Sequence, residues 1–528
     1  MKLIHILIYL IPSIISLFSL LKVKINGTDH HYHALIINAI KRNKHHFVLS
    51  NPYIIGENRM SYPQLLHWLL SFFDFNKMTK YSLWINLFCT FLSSMLLLIF
   101  VSTMIDYSSN ILFLENKDKI LILSGLAYIS FPFNYDMVNA KNSGISARGL
   151  GLFLGQLYLY LISFYLITEN ITFLCLSVVV CSLILLSSAF AIQFLLFSTF
   201  LLSLFSLDLL ILTPLTLSLV IIWFSSKKFF EMFFIGQFTH KKLYSKYFAD
   251  LSILKHRYSI WRDFFYDFWV IIFNKKISLT DKLKYITSNS IVSVLISMPF
   301  VLLAITYVIL NNDSIPFYLY IPGFVCFIIF VITTFRSTRF LGEPERYLEF
   351  AFGFYSIIVA ITFFDYKWFY IVLLIYSVLF VITRLIFYIS YSKTNTNVLS
   401  RNNVEGSKKI IEKEIKKYDS KQHVLSNSMQ YSKILFNTKW KVFWHPIFQD
   451  KIGEYDFIDL YSDSITHIEE SVLKSVINDF KINYFLCDFT AVKNKDEFFE
   501  QLENNNIKLK TLCEYNKDLI LYKVCQKN

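Results

Sequence analysis

The sequence predicts an α-helical polytopic membrane protein with a small C-terminal α/β domain, and three observations carry that prediction. Of 528 residues, 55% are hydrophobic and only 17% are charged, with a mean hydropathy of +0.47; soluble domains carry about a quarter of their residues as charges. Apolar runs long enough to cross ~30 Å of hydrocarbon recur to about residue 392. After Lys393 the chain turns polar, and short strand-like runs alternate with helical patterns.

Met1-Lys2 and the apolar run after it resemble a secretory leader. No small-x-small cleavage site follows, and Lys22, Lys24 and a polar cluster come next, so a retained first helix is expected. The Lys2 flank favours a cytoplasmic N-terminus. Residues 23–77 read as a polar first loop with short interfacial helices at 31–42 and 62–73. Spans follow at 78–105, 119–134, 148–167, 171–187, 189–206 and 208–224. The 225–286 segment mixes Lys227, Lys228, Lys241, Lys242, Lys255, Arg257 and Arg262 with Phe, Tyr and Trp; within it, 261–273 reads as an amphipathic helix lying in the interface. Spans resume at 287–310, 316–335, 347–364 and 367–392.

The total is about eleven transmembrane helices of ~20 residues each. Starting inside, that count leaves the C-terminus extracytoplasmic. It also gathers the first loop and the 135–147 and 336–347 loops on one outer face. The basic 225–286 segment falls outside too, against the positive-inside tendency, which binds loops of ~60 residues only weakly. The expected division is a membrane domain over 1–392 and a soluble α/β domain over 393–528. In the latter, Val424-Leu425 and Tyr484-Phe485-Leu486 read as strands, 469–480 and 496–504 as helices, and Asn516-Lys517-Asp518 as a hairpin turn.

The net charge of +13 is uneven: residues from 393 onward hold 21 Lys and Arg against 19 Asp and Glu, so most of the excess belongs to the membrane part. That suits contact with phosphate-bearing membrane lipids, and no nucleic-acid motif accompanies it. Taken singly, most of these lysines read as positive-inside anchors. The seven cysteines show no CxxC spacing and indicate neither a zinc site nor a disulfide framework.

Ionisable groups held beside lipid are costly and mark candidate functional sites. Thr28-Asp29-His30-His31-Tyr32-His33 lies just past the first helix. Asp29 has two readings: a general base that deprotonates an acceptor hydroxyl, or a helix N-cap before an apolar-periodic run. His33, four residues on, would share its face if a helix begins there. His30, His31, His33, His45, His46 and His67 are half of the chain's twelve histidines. None has the spacing of His-Glu-x-x-His, so solvated or phosphate-contacting imidazoles are expected, with no metal and no other cofactor. Tyr62 and Pro63 open the helix that carries His67, which either faces a cavity or hydrogen-bonds a neighbouring helix.

A second cluster runs from Arg336 through Arg339, Gly342, Glu343, Pro344, Glu345, Arg346 and Tyr347 to Glu349. Arginines and acids at the end of a span can grip a phosphate bidentately while ordering one another; the plainer reading is a solvated turn with surface ion pairs. Asp136, Lys141 and Arg148 are further candidates. Arg148 begins a helix with Gly149, Gly151 and Gly155, small residues suited to close packing. Ser187-Ser188 interrupts two apolar helices, with Gln193 beyond.

Gly27-Thr28-Asp29-His30 with Tyr62-Pro63, and Gly342-Glu343-Pro344-Glu345-Arg346-Tyr347, resemble the GT-C superfamily of integral membrane glycosyltransferases. That group includes protein O-mannosyltransferases, lipid A aminoarabinose transferases and the catalytic subunits of oligosaccharyltransferases. The resemblance implies a catalytic acid just after the first helix, an outer C-terminal domain and a polyprenyl-phosphate-linked sugar donor. By it, Asp29 is the acceptor-activating base, Arg339 and Arg346 hold the donor phosphate, and His33 helps to position it. His30, Tyr62, His67, Arg148, Glu343, Glu345 and Tyr347 would complete the substrate-binding set. The acceptor would be a lipid, a glycan or a protein of the cell envelope. The chain lacks the paired acids common in that first loop, and it lacks the Trp-Trp-Asp signature, which disfavours protein N-glycosylation. Cationic side chains can stabilise a leaving phosphate without a metal.

Other readings are a polysaccharide polymerase or ligase of similar topology, a transporter, and a non-catalytic scaffold. A transporter predicts mid-membrane charges, paired half-helices and internal repeats, whereas here the polar clusters sit at span ends and no repeat is visible. A scaffold predicts that Asp29→Asn is tolerated.

Overall fold

The computed structural model describes residues 2–22, 28–56, 60–74, 77–107, 111–131, 145–246, 298–311, 316–335, 344–398, 422–426, 440–443, 451–452, 454–456, 470–489, 507–516 and 519–526, with scattered positions within 269–294, 338–342, 413–417 and 499–503. The chain is mostly helical and divides into two compact units. Unit 1 comprises Met1–Ile25, Lys80–Lys227 and Tyr244–Ser390; unit 2 comprises Asn26–Thr79, Lys228–Leu243 and Tyr391–Asn528.

In unit 1, four described helices are long and apolar enough to cross a bilayer: Lys80–Tyr107, Arg148–Thr168, Ala189–Ser206 and Phe317–Thr334. Five shorter apolar helices stand with them: Leu3–Phe18, Ile171–Ser187, Pro299–Leu310, Phe352–Phe363 and Lys367–Thr383. Their burial separates two roles. Phe352–Phe363 is buried almost all round and packs against Lys117–Ile129, Pro299–Asn311 and Phe317–Thr334. A helix apolar on every side needs such an all-round apolar setting, inside a protein or in lipid. Lys367–Val398 instead exposes Ile371, Ile375, Leu379, Ile382 and Ile386 at steps of three and four. That is the spacing of one helical face, and an exposed apolar stripe of this length suits a hydrocarbon surround.

Helix junctions follow from local chemistry. The Asn170 side chain accepts from the Thr172 N–H at 2.9 Å, capping Ile171–Ser187. Asp208 does the same for Leu210 at 2.8 Å. Ser188 alone, with extended backbone, separates Ile171–Ser187 from Ala189–Ser206, at the interruption read from Ser187-Ser188. Small residues let these helices approach closely: a β-carbon at Gly151 would stand 2.8 Å from Ser188 Cβ and 3.0 Å from Ala191 Cβ.

Unit 2 holds a six-stranded mixed sheet. Its strands are β1 (Ile54–Ile55), β2 (His423–Ser426), β3 (Lys441–Phe443), β6 (Tyr484–Asp488), β7 (Ile507–Asn516) and β8 (Leu519–Gln526), in the order β1-β3-β2-β6-β8-β7; β4 (Lys451–Ile452) and β5 (Tyr455–Asp456) pair separately. The pairs β1–β3, β2–β3 and β2–β6 are parallel, whereas β6–β8 and β7–β8 are antiparallel. Val424, Leu425, Tyr484, Phe485 and Leu486 all fall in strands and are buried, and Glu470–Asp479 is a helix. Asn516 pairs with Leu519 across the β7–β8 hairpin. Strands β1, β3, β4 and β5 are not among those the sequence foretells, and β1 is supplied by the first loop: Ile54 and Ile55 align with Val442 and Phe443, and the Val442 N–H donates to the Tyr53 carbonyl at 2.9 Å.

Candidate functional site

The candidate residues fall into two clusters, one in each unit. In unit 2 the helix Thr28–Arg42 puts Asp29 in its first turn and His33 one turn further on. An acidic position there lies at the positive end of the helix dipole. The side chains of Asp29 and His30 lie outside the described residues.

His33 and His67 form a buried imidazole pair: His33 Nδ1 stands 2.9 Å from His67 Nε2, and the residues are 6% and 0% exposed. Tyr62 meets both rings edge-on, at 5.1 Å from His33 and 5.4 Å from His67. So His33, Tyr62 and His67, from two helices and the turn between them, do come together. The supporting frame is local. Gln64 clamps the chain at Val48 by accepting from its N–H at 3.0 Å and donating to its carbonyl at 2.7 Å. His45 is occupied elsewhere, bonded to Ser71 Oγ at 2.8 Å and stacked on Phe72 at 4.4 Å.

Burial pushes the His33 imidazole down to about 4 and holds His67 well below the usual imidazole range, the neighbouring ring adding to the effect. Near neutral pH both rings are uncharged, so the pair offers hydrogen bonds and a lone pair rather than a fixed positive charge. An unfolded imidazole titrates near 6.5, so between that value and about 4 the unfolded chain binds more protons than the folded one. Stability contributed by the pair is therefore present above about pH 6.5 and lost as the pH falls toward about 4. Thermal melts through that window check this: the transition of unit 2 is expected to drop, with a shallower slope in the His33→Phe/His67→Phe variant.

In unit 1 the functional side chains sit where Arg148–Thr168 begins and along the segment before Phe352–Phe363. Gly342 adopts φ +94° in open space, a left-handed turn that glycine enters without strain. Arg148 Nη2 meets Glu349 Oε1 at 2.6 Å, with side chains 12% and 2% exposed. Gln156 Nε2 donates to the Glu349 carbonyl at 3.1 Å. Tyr347 is fully buried; its hydroxyl donates to the Leu341 carbonyl at 2.7 Å and lies 3.3 Å from Gln193 Oε1. The Arg346 guanidinium stands over the Phe190 ring at 5.7 Å, while Glu345 and Arg346 remain half-buried. Arg336, Arg339 and Glu343 lie outside the described residues, as do Asp136 and Lys141.

Sequence reasoning brought forward both Arg148 and Glu349, the latter as the last charge of the second cluster, but not their pairing. The two lie 201 positions apart, a separation that no local spacing bridges, and the available signal was that each is a charge held beside lipid, costly unless paired. Among the described residues no three His, Cys, Asp or Glu side chains gather as a metal-binding set.

No protein-family profile matches the chain, and no curated protein matches it in sequence. Solved structures do match. The AglB oligosaccharyltransferase of Archaeoglobus fulgidus, in complex with an inhibitory peptide and a dolichol-phosphate, aligns over 97% of this chain and 73% of its own, with a TM-score of 0.54 and 13% identity. The apo form of the Archaeoglobus fulgidus oligosaccharyltransferase aligns over 92% and 69%, with a TM-score of 0.53 and 11% identity. ArnT of Cupriavidus metallidurans, bound to undecaprenyl phosphate, aligns over 98% and 97%, with a TM-score of 0.40 and 9% identity. The chain shares its fold with these oligosaccharyltransferase structures, one of the groups that its sequence resembles. More particularly, the architecture is that of the archaeal oligosaccharyltransferase, and at this identity the likeness is one of fold.

Proposed function

We propose that the chain is a membrane glycosyltransferase that moves a sugar from a polyprenyl-phosphate donor to a lipid, glycan or protein acceptor at the outer face. Asp29 takes the proton of the acceptor hydroxyl as its oxygen attacks the anomeric carbon. The bond from that carbon to the phosphate oxygen breaks, and polyprenyl phosphate leaves with its negative charge held by Arg339 and Arg346. His30, Tyr62, His67, Arg148, Glu343, Glu345 and Tyr347 belong to the binding region in this reading. His33 enters as a neutral hydrogen-bonding group, since its buried ring carries no charge near neutral pH. In this reading the N-terminus is cytoplasmic, and residues 393–528 form an extracytoplasmic α/β domain.

One observation carries the reading. A fold shared over 97% of this chain belongs to AglB, whose structure holds a dolichol-phosphate. The position of Asp29, in the first turn of the helix after the first apolar helix, adds to it. The test is transfer of radiolabelled sugar from polyprenyl-phosphate donors in membranes that contain the protein. Label is expected to leave the lipid-phosphate fraction and appear in an acceptor. Label that stays on every donor offered, with no binding of polyprenyl phosphate by the protein, would sink the proposal.

A further inference from the structure

The buried Arg148–Glu349 pair calls for a reason that stability does not supply. Replacing a buried ion pair by well-packed apolar side chains is often neutral or stabilising. Arg148 is also the first residue of Arg148–Thr168, where the positive end of the helix dipole disfavours a cation. Two charges held at 12% and 2% exposure at such a place point to a geometric role.

The geometry is that of a fastened segment that carries a half-buried arginine. Between Pro344 and Phe350, only Glu345 and Arg346 are not buried. Their neighbours are secured from several directions. Tyr347 is bonded to the Leu341 carbonyl. Glu349 is held by Arg148 through its side chain and by Gln156 through its carbonyl. Phe350 stacks on Phe194 with ring centroids 3.7 Å apart and planes 7° from parallel, and Gly155 leaves the room for that ring.

We infer that Arg148 and Glu349 are positioning residues: their ion pair ties the Glu345–Glu349 turn to the helix Arg148–Thr168 and thereby sets where the Arg346 guanidinium meets the phosphate of a polyprenyl-phosphate ligand. The pair is neutral as a unit, so it adds no net charge of its own to that meeting. Its contribution is placement, and an arginine recognises phosphate through a directional fork that placement governs. This inference rests on the function proposed above.

The experiment uses the full-length protein in lipid nanodiscs, with polyprenyl phosphate as the binding probe and labelled donor for turnover. Glu349→Gln keeps the shape and removes the charge. Arg148→Glu, Glu349→Arg and the double reversal complete a cycle that isolates the pairwise term. In the double variant the acid stands at the helix N-terminus, where the dipole favours it. Glu349→Gln is expected to weaken polyprenyl-phosphate binding and raise the donor KM by about tenfold while kcat stays within about twofold, the signature of lost uniform binding. The single reversals are expected to lose more, and the double reversal to recover most of the affinity. Unchanged affinity in Glu349→Gln overturns the inference, and so does a double reversal that restores the melting temperature but not binding. A loss confined to kcat does so as well. A wild type that binds no polyprenyl phosphate overturns the proposed function together with this inference, whereas a wild type that binds while Glu349→Gln binds equally overturns this inference alone.

Discussion

Asp29→Ala is expected to lower sugar transfer by about 10²–10⁴-fold, the usual contribution of a positioned general base. Asp29→Asn should fall as far, because an amide keeps the size and the hydrogen bonding but cannot take a proton. Polyprenyl-phosphate affinity should survive both changes, since the proposed function gives the donor's charge to Arg339 and Arg346 and not to Asp29. The helix Thr28–Arg42 is anchored from its second turn onward by buried Leu35, Ile36, Ile37 and Ile40, so its fold does not hang on one residue in the first turn. The measurement is transfer in membranes beside donor binding in the same preparations. An Asn variant that transfers sugar as fast as the wild type removes Asp29 from the mechanism and favours the N-cap or scaffold reading.

Trp440→Ala is expected to produce the largest loss of stability. Trp440 is 1% exposed and stacks on Tyr484 at 4.4 Å, just before β3. Truncating a buried tryptophan costs about 3–5 kcal/mol through lost burial and the cavity left behind, against a total domain stability of roughly 5–15 kcal/mol. The consequence reaches beyond β3, because among the described strands β1 pairs with β3 alone. Hydrogen exchange should therefore report lost protection at Ile54–Ile55 together with Lys441–Phe443. Protection lost at β3 while β1 stays closed would show that the first-loop strand is held by something other than the sheet.

What was legible in the sequence follows from the range of the forces involved. Apolar runs announce spanning helices because lipid demands about the same length from each, and Lys80–Tyr107, Arg148–Thr168, Ala189–Ser206 and Phe317–Thr334 fall where such runs lie. Tyr484-Phe485-Leu486 reads as a strand because the run is short, β-prone and followed by a polar stretch. Ile54–Ile55 carries no such signal: two residues have no period, and their pairing is decided by a strand almost four hundred positions away. The Phe352–Phe363 helix shows the limit in another way, since its composition suits lipid or protein equally and only packing assigns it to the interior. The imidazole pair was half visible, as histidines crowded into one loop, but which two would meet depended on how the helices Thr28–Arg42 and Leu65–Ser71 pack. The Arg148–Glu349 pairing was invisible for the same reason on a longer scale.

The parallel pairing of Ile54 with Val442 also sets an order of events during synthesis. The ribosome must add 388 further residues before the partner exists (from 54 to 442), which at about 5–20 residues per second takes roughly 20–80 s. For that interval the isoleucines and the unpaired backbone of the loop stand without their edge. Maturation of the nascent chain thus waits on a seam joining the first loop to its last quarter, and a truncation ahead of β3 leaves that seam open.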